Sequence, residues 1–254
     1  MKIEYFKVYD LKPIPIGVSV SHIHIRKEHL HAIYGEGYEL TLRNDLTQKG
    51  EFAAEETVTL INETKKIENV RILGPTRDFT QVELSKTDAF RLGMNPPVRD
   101  SGNHTETPGL TIKGPKGAIS ISKGVILAMR HIHMSLEDAR NYGVKNGEMV
   151  DLLCGKERQL IFGNVLIRVD ESFVLDFHID TDEANAADIS TGDIGYLIKF
   201  SKTIDTKKET TSSHTLITEK DVLASLYQGN ELCISKNAIL TPLALDLARK
   251  HKLV

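Results

Sequence analysis

Alternation of apolar and polar side chains with a period of two runs through the first two hundred residues, broken often by glycine and proline, and it predicts many short strands. Val18, Val20, His22 and His24 share one face of such a run, with Ser19, Ser21, Ile23 and Ile25 on the other. Leu127, Met129, His131 and His133 repeat the pattern between Gly124 and Met134. Each run leads into a short helical segment ending in Tyr-Gly, from Arg26 to Gly35 and from Ser135 to Gly143. The second is punctuated clearly: Ser135 at the N-cap, Glu137 and Asp138 in the first turn, Gly143 just past the end. With few long helical periods, the pattern predicts a mainly β fold with short helices. It would form two similar β-barrel lobes related by internal duplication, plus a small C-terminal α/β tail. The expected boundaries are a first lobe over 1–110, a second over 111–200, a polar linker over 201–213 and the tail over 214–254. Within the tail, Thr218 caps a helix over 219–227, residues 231–239 read as a strand, and Thr241-Pro242 opens a second helix.

Residues two apart on a strand point the same way, so each His-Ile-His can aim two imidazoles at one ion; on a helix they would diverge by roughly 200°. Laying Val82–Ala89 over Phe177–Ala184 sets Glu83 opposite His178, each just ahead of a helix cap, Ser85 or Thr181. Two three-residue ligand sets follow: His22, His24 and Glu83, and His131, His133 and His178. Three protein ligands leave a coordination position open, the pattern of a catalytic metal, and imidazole with carboxylate suits zinc; cobalt, iron, nickel and manganese are chemical substitutes. A lone strand histidine is ordinarily a hydrogen-bonded core residue, but two pairs in one repeated context favour metal binding. His29, His31, His104 and His214 are read as solvated or packing residues, and His251 as a helix-dipole partner.

Arg77 lies six residues before Glu83 and beyond a Gly74-Pro75 turn from Arg71, where its planar donors could hold phosphate beside an open metal position. Arg99 is a second candidate anion contact, and Arg130, on the face opposite His131, is read as structural or as a support to the metal ligands from behind. No glycine-rich phosphate loop is present, which removes support for nucleotide hydrolysis and hydride transfer. No Ser-His-Asp or Cys-His nucleophile is evident, so no acyl-enzyme is expected. A net charge of -3 argues against a nucleic-acid surface, and no apolar run spans a bilayer. Two distant cysteines, Cys154 and Cys233, indicate no disulfide framework, so a cytoplasmic setting is expected.

The segments Gly17–His24, Arg71–Arg77, Thr80–Glu83, Arg130–Met134 and His178–Asn185, in this order, resemble the PduL-type phosphotransacylases, also called phosphate propanoyltransferases. The resemblance covers roughly residues 13 to 200. It implies exchange of an acetyl or propanoyl group between coenzyme A and inorganic phosphate by direct transfer. The site would hold two zinc ions between two β-barrel domains, one ion on each ligand set, with Arg77 on phosphate. It implies coenzyme A contacts from Ser19, Arg71, Leu73 and Asn185. Ser21 departs from the family pattern, which commonly has Arg there. Residence in a bacterial microcompartment also follows from the resemblance, although only about twenty residues precede the first His pair, fewer than the targeting extension of encapsulated relatives. The partners expected are acyl-CoA and phosphate, a second copy in a homo-oligomer, and a microcompartment component docking on the tail. The rival readings are a dinuclear zinc hydrolase of thioesters or esters and a non-enzymatic metal-binding microcompartment module.

Overall fold

The computed structural model describes residues 12–198, 216–228 and 238–251. The chain begins with β1 (Pro13–Ser19), β2 (His22–Arg26), α1 (Lys27–Tyr34), β3 (Leu42–Asp45), β4 (Phe52–Asn62), β5 (Lys65–Arg77), β6 (Gln81–Glu83) and α2 (Lys86–Arg91). There follow β7 (Val98–Arg99), β8 (Leu110–Lys113), β9 (Ala118–Ile121), β10 (Val125–Ala128), β11 (His131–Met134) and α3 (Leu136–Tyr142). Then come β12 (Met149–Cys154), β13 (Leu160–Val169), β14 (Asp176–Asp180), α4 (Thr181–Ala187) and β15 (Ile194–Ile198). The remaining elements are β16 (Leu216–Ile217), α5 (Glu219–Gln228), β17 (Ile239–Leu240) and α6 (Pro242–Lys250).

Most of these strands form a mainly β body of two sheets. One is a closed barrel in the order β1-β14-β11-β13-β12-β15; the other is an open nine-stranded sheet in the order β7-β10-β6-β2-β5-β4-β8-β9, with β3 on β4. Only one lobe is therefore a closed barrel. In the other, the edge strands are β7 and β9, and the segment before β8 meets the start of β10 through Val125 N to Pro108 O (3.0 Å) and Gly124 N to Thr107 Oγ1 (2.9 Å). Pro108 has no N–H to return to β10, and Gly109 lies close against β9, where an added Cβ would stand 1.8 Å from Ile121 O.

Sheet membership also departs from a division at residue 110. β1 joins the barrel although β2 lies in the open sheet, and β8, β9 and β10 join the open sheet although β11 lies in the barrel. The expected single strands through Val18–His24 and Leu127–His133 are each interrupted, at Val20-Ser21 and at Met129-Arg130, because there the chain changes sheets. Side-chain alternation survives the crossing, which is why the break carries no sequence signal. The two apolar cores follow the sheets: Ile14 and Ile16 pack with Ile132, Leu152, Val165 and Phe177, while Ile23 and Ile25 pack with Leu30, Leu60, Ile72 and Val125.

The helices end as their residues dictate. Ser135 accepts from Asp138 N in a capping box, and Gly143 closes α3 in the left-handed region. Ser85 caps α2, whereas α4 is capped by Asp180 and not by Thr181, because the Asp180 carboxylate accepts from Glu183 N. The tail is a separate compact unit, in which β16 and β17 pair in parallel and Ile217, Val222, Ala244 and Ala248 form a small core. Thr241 caps α6, with Pro242 in its first turn, as expected. Most of the strand expected over 231–239, and the residues Cys233 and His214, lie outside the described residues. Among the described residues no helix is long and apolar enough to cross a membrane.

One close approach sets the barrel register. β1 runs parallel to β14 with Gly17 opposite His178, and a Cβ on Gly17 would meet Asp176 Oδ2 at 2.8 Å and His178 Cδ2 at 3.1 Å. Gly17→Ala is expected to lower stability by about 1–3 kcal/mol through overpacking, measured by denaturant unfolding; an unchanged midpoint would contradict this strand pairing.

Candidate metal centre

Both ligand sets are assembled by strand register. β2 lies between β5, parallel to it, and β6, antiparallel, so that His22 faces Glu83 across the ladder. β11 lies between β13 and β14 in the same senses, with His131 facing His178. Glu83 and His178 each stand two residues before a helix N-cap, Ser85 and Asp180. The donor atoms within each set lie within 4.8 Å of one another. His22 Nε2 is 3.5 Å from Glu83 Oε2 and His24 Nε2 is 3.6 Å from Glu83 Oε1. In the second set, the ring centroids of His131, His133 and His178 are separated by 4.7, 5.2 and 4.9 Å.

The sheet crossings fix the imidazole tautomers. His22 Nδ1 donates to Val20 O at 2.8 Å and His131 Nδ1 donates to Met129 O at 2.8 Å, each carbonyl belonging to the interrupted segment two residues upstream. Nε2 of each ring is thereby left with its lone pair toward the cluster. His178 is held the other way round, Nε2 donating to the buried Asp176 carboxylate at 2.9 Å, which frees Nδ1. His24 Nδ1 and His133 Nδ1 are buried with no hydrogen bond of normal geometry. Unpaired buried nitrogens are costly, and a cation that took up their own lone pairs would remove that cost.

His24, His131 and His133 are held neutral. Burial, then the nearby His178 and Arg168 charges, pushes His131 down to about 3. Burial, then His131, His178 and the arginines Arg168 and Arg77, pushes His133 down to about 2. His24 is held well below the usual imidazole range by burial, then by His22 and Arg77. Neutral imidazole is the ligating form, so these environments favour a metal over a proton.

Glu83 is anchored from the side. Gln81, fully buried, donates from Nε2 to Glu83 Oε1 (2.7 Å) and to Ser101 Oγ (2.8 Å). Its Oε1 accepts from Gly102 N (2.8 Å) and His104 Nε2 (2.9 Å), so all its bonding positions are used. His104 is therefore neither solvated nor a plain packing residue. Ser21, in the crossing segment, donates to Asp88 Oδ2 (2.7 Å) and accepts from Ser85 N (3.1 Å), tying the His22 strand to the start of α2.

Both clusters line one cavity of about 510 Å³, within the range of small-molecule sites. Ser19, Arg71, Leu73 and Arg77 line it as well. Asn185 does not; it is exposed on α4. Arg71 donates to the carbonyls of Ala54 (2.9 Å) and Glu55 (2.8 Å). Arg77 is reached through a continuous strand, not a turn: β5 runs through Gly74-Pro75, and the register slips between His24 opposite Leu73 and Arg26 opposite Arg77. Arg99 stays outside the cavity, bonded to Thr105 O and Val98 O. Arg130 pairs with Glu183 at 3.0 Å away from the cavity, as its strand face predicted. Sequence reasoning missed Arg168, which the parallel ladder sets beside His133 and which lies over the Phe173 ring at 5.7 Å. A second concavity of about 440 Å³, near Tyr34, Lys66 and Lys113, contains none of these groups.

Comparison with known proteins agrees with this placement. The family model described as phosphate propanoyltransferase matches residues 15–190, the span that holds both clusters. A phosphate propanoyltransferase of Thermotoga maritima is 55% identical over 199 residues, covering 78% of this chain and 95% of that protein. One from Lachnoclostridium phytofermentans is 51% identical, covering 71% and 85%, and one from Salmonella typhimurium is 46% identical, covering 69% and 84%. Residues 201–254 lie outside the family match. With most of its body matched and both ligand sets inside the match, the chain belongs to the phosphate propanoyltransferase family, the PduL-type phosphotransacylases.

Proposed function

We propose that the chain is a phosphate acyltransferase, converting acyl-CoA and inorganic phosphate to acyl phosphate and coenzyme A, with a propanoyl or acetyl group, and running the reverse reaction by the same path. The observation that carries this reading is the shared cavity: two metal-ligand sets and the Arg77 guanidinium face the same space. In the forward direction a phosphate oxygen forms a bond to the thioester carbonyl carbon, the C–S bond breaks, and the sulfur leaves with the electron pair.

The donor sets fit zinc. His22, His24 and Glu83 would hold one ion and His131, His133 and His178 the other, since each set offers three N/O donors and the buried Nδ1 atoms of His24 and His133 have no hydrogen bond of normal geometry. When bound, such ions supply Lewis acidity toward a carbonyl oxygen or a departing thiolate. The chain's own groups do the rest. Arg77 orients phosphate through its planar donors, and Arg168, across the same cavity, adds positive charge near His131 and His133. Gln81 keeps Glu83 turned toward the His22–His24 pair. Ser19, Arg71 and Leu73 are proposed to contact coenzyme A along the cavity wall, and Asn185 a part of it that extends beyond the cavity. Direct transfer is favoured because, among the described residues, no cysteine lines the cavity; Cys154 sits in the barrel core, where burial pushes its thiol up to about 12. The matched local pairings of β2 and β11 support the duplication proposed from sequence.

Thiol release from propanoyl-CoA should depend on added phosphate and fall on the order of 10²-fold or more after chelation; phosphate-independent release would favour a hydrolase instead. His22→Ala and His131→Ala should each lose about one metal per chain, counted by elemental analysis, and unchanged content would remove the ligand assignment. Arg77→Ala should raise the phosphate KM roughly 10- to 100-fold with a smaller change for acyl-CoA; equal effects on both substrates would remove Arg77 from the phosphate role.

A further inference from the structure

Arg77 already holds an anion supplied by the chain. Its Nη2 donates to Glu51 Oε1 at 2.8 Å, and both residues line the cavity with side chains only 26% and 33% exposed. On the other side, Arg77 Nη1 has a single long contact, 3.5 Å to Ser101 Oγ. The guanidinium that would bind phosphate therefore spends part of its charge on a carboxylate.

The pair is built, not incidental. Phe52, next to Glu51, is in register with Gly74, three residues before Arg77, and its ring occupies the space where a Gly74 Cβ would stand, 2.3 Å from Phe52 Cζ. Neither strand can slide without a clash. Upstream, Glu51 N donates to Gln48 O (3.1 Å) and Leu46 N donates to Glu51 O (3.0 Å), closing the loop between β3 and β4. Gln48 is buried and bonds the Val174 backbone in both directions, Nε2 to Val174 O at 2.9 Å and Val174 N to Oε1 at 3.0 Å. The loop that carries Glu51 is thus pinned to the segment beside Phe173, whose ring packs on His133 at 4.3 Å.

We propose that Glu51 is a built-in anionic competitor at Arg77, which sets the phosphate affinity of the cavity and disfavours monovalent anions. This rests on the reading of Arg77 as the phosphate-holding residue. A carboxylate carries one negative charge and presents two oxygens, so an incoming monovalent anion gains no Coulombic advantage over it. A divalent phosphate does, and it displaces or shares the guanidinium. The alternative role, a carboxylate that merely orients Arg77, has the opposite signature, since losing it would weaken phosphate binding.

The test uses the metal-loaded full chain. Glu51→Gln keeps the size and an accepting oxygen while removing the charge. It should lower the phosphate KM roughly three- to tenfold and leave the acyl-CoA KM within about twofold. Inhibition by chloride should strengthen. In an Arg77→Ala background the same change should have no effect on the phosphate KM, because the pair no longer exists. A phosphate KM that rises or stays constant in Glu51→Gln, with metal content intact, overturns the proposal. If instead Arg77→Ala alone leaves the phosphate KM untouched, the phosphate reading of Arg77 fails, and this proposal falls with it.

Discussion

Antiparallel pairing of a His-Ile-His strand with the last strand before a helix is the constraint on which the site depends. Side chains two apart on β2 or β11 share a face, and the ladder sets Glu83 or His178 directly across from the first histidine of each pair. Three donors from two strands thereby converge without any loop having to be ordered around them. Because these strands are internal to their sheets, His24, His131 and His133 are shielded from solvent, and that desolvation keeps these three in the neutral, ligating form.

The exchange of strands between sheets gives the same constraint its reach. The chain leaves the barrel after β1 and enters the open sheet at β2; it leaves the open sheet after β10 and enters the barrel at β11. At each crossing the carbonyl two residues before the first histidine is released from strand pairing and accepts that histidine's Nδ1–H. The crossings thus do two things together: they bring both clusters to one cavity, and they set the tautomer of one ring in each. Contacts between neighbouring helix starts, such as Thr87 N to Asp182 Oδ2 at 2.7 Å, add a further tie between α2 and α4.

What could be read in the sequence is what repeats with a short period. The His pairs, the strand face they occupy, the Ser135 cap and the Gly143 stop are local patterns, and the structure has them in place. The overlay matched Glu83 with His178, and the two do occupy equivalent places, each across the ladder from the first histidine of a pair, although it placed the α4 cap one residue late. Long-range register is a different kind of information. Arg168 meets His133 only through the parallel pairing of β11 with β13, and Asp176 meets His178 only because Gly17 leaves room for it. Gln81 and His104 each look like isolated polar residues until the fold closes their network around Glu83.

The central claim is that two strand-built triads hold a pair of metal ions in one cavity. Anomalous diffraction at the zinc edge from crystals of the metal-loaded protein tests it most directly. The account predicts two peaks, one at the His22–His24–Glu83 cluster and one at the His131–His133–His178 cluster. A map with no peak at either cluster, or with its metal bound at other side chains, would contradict it.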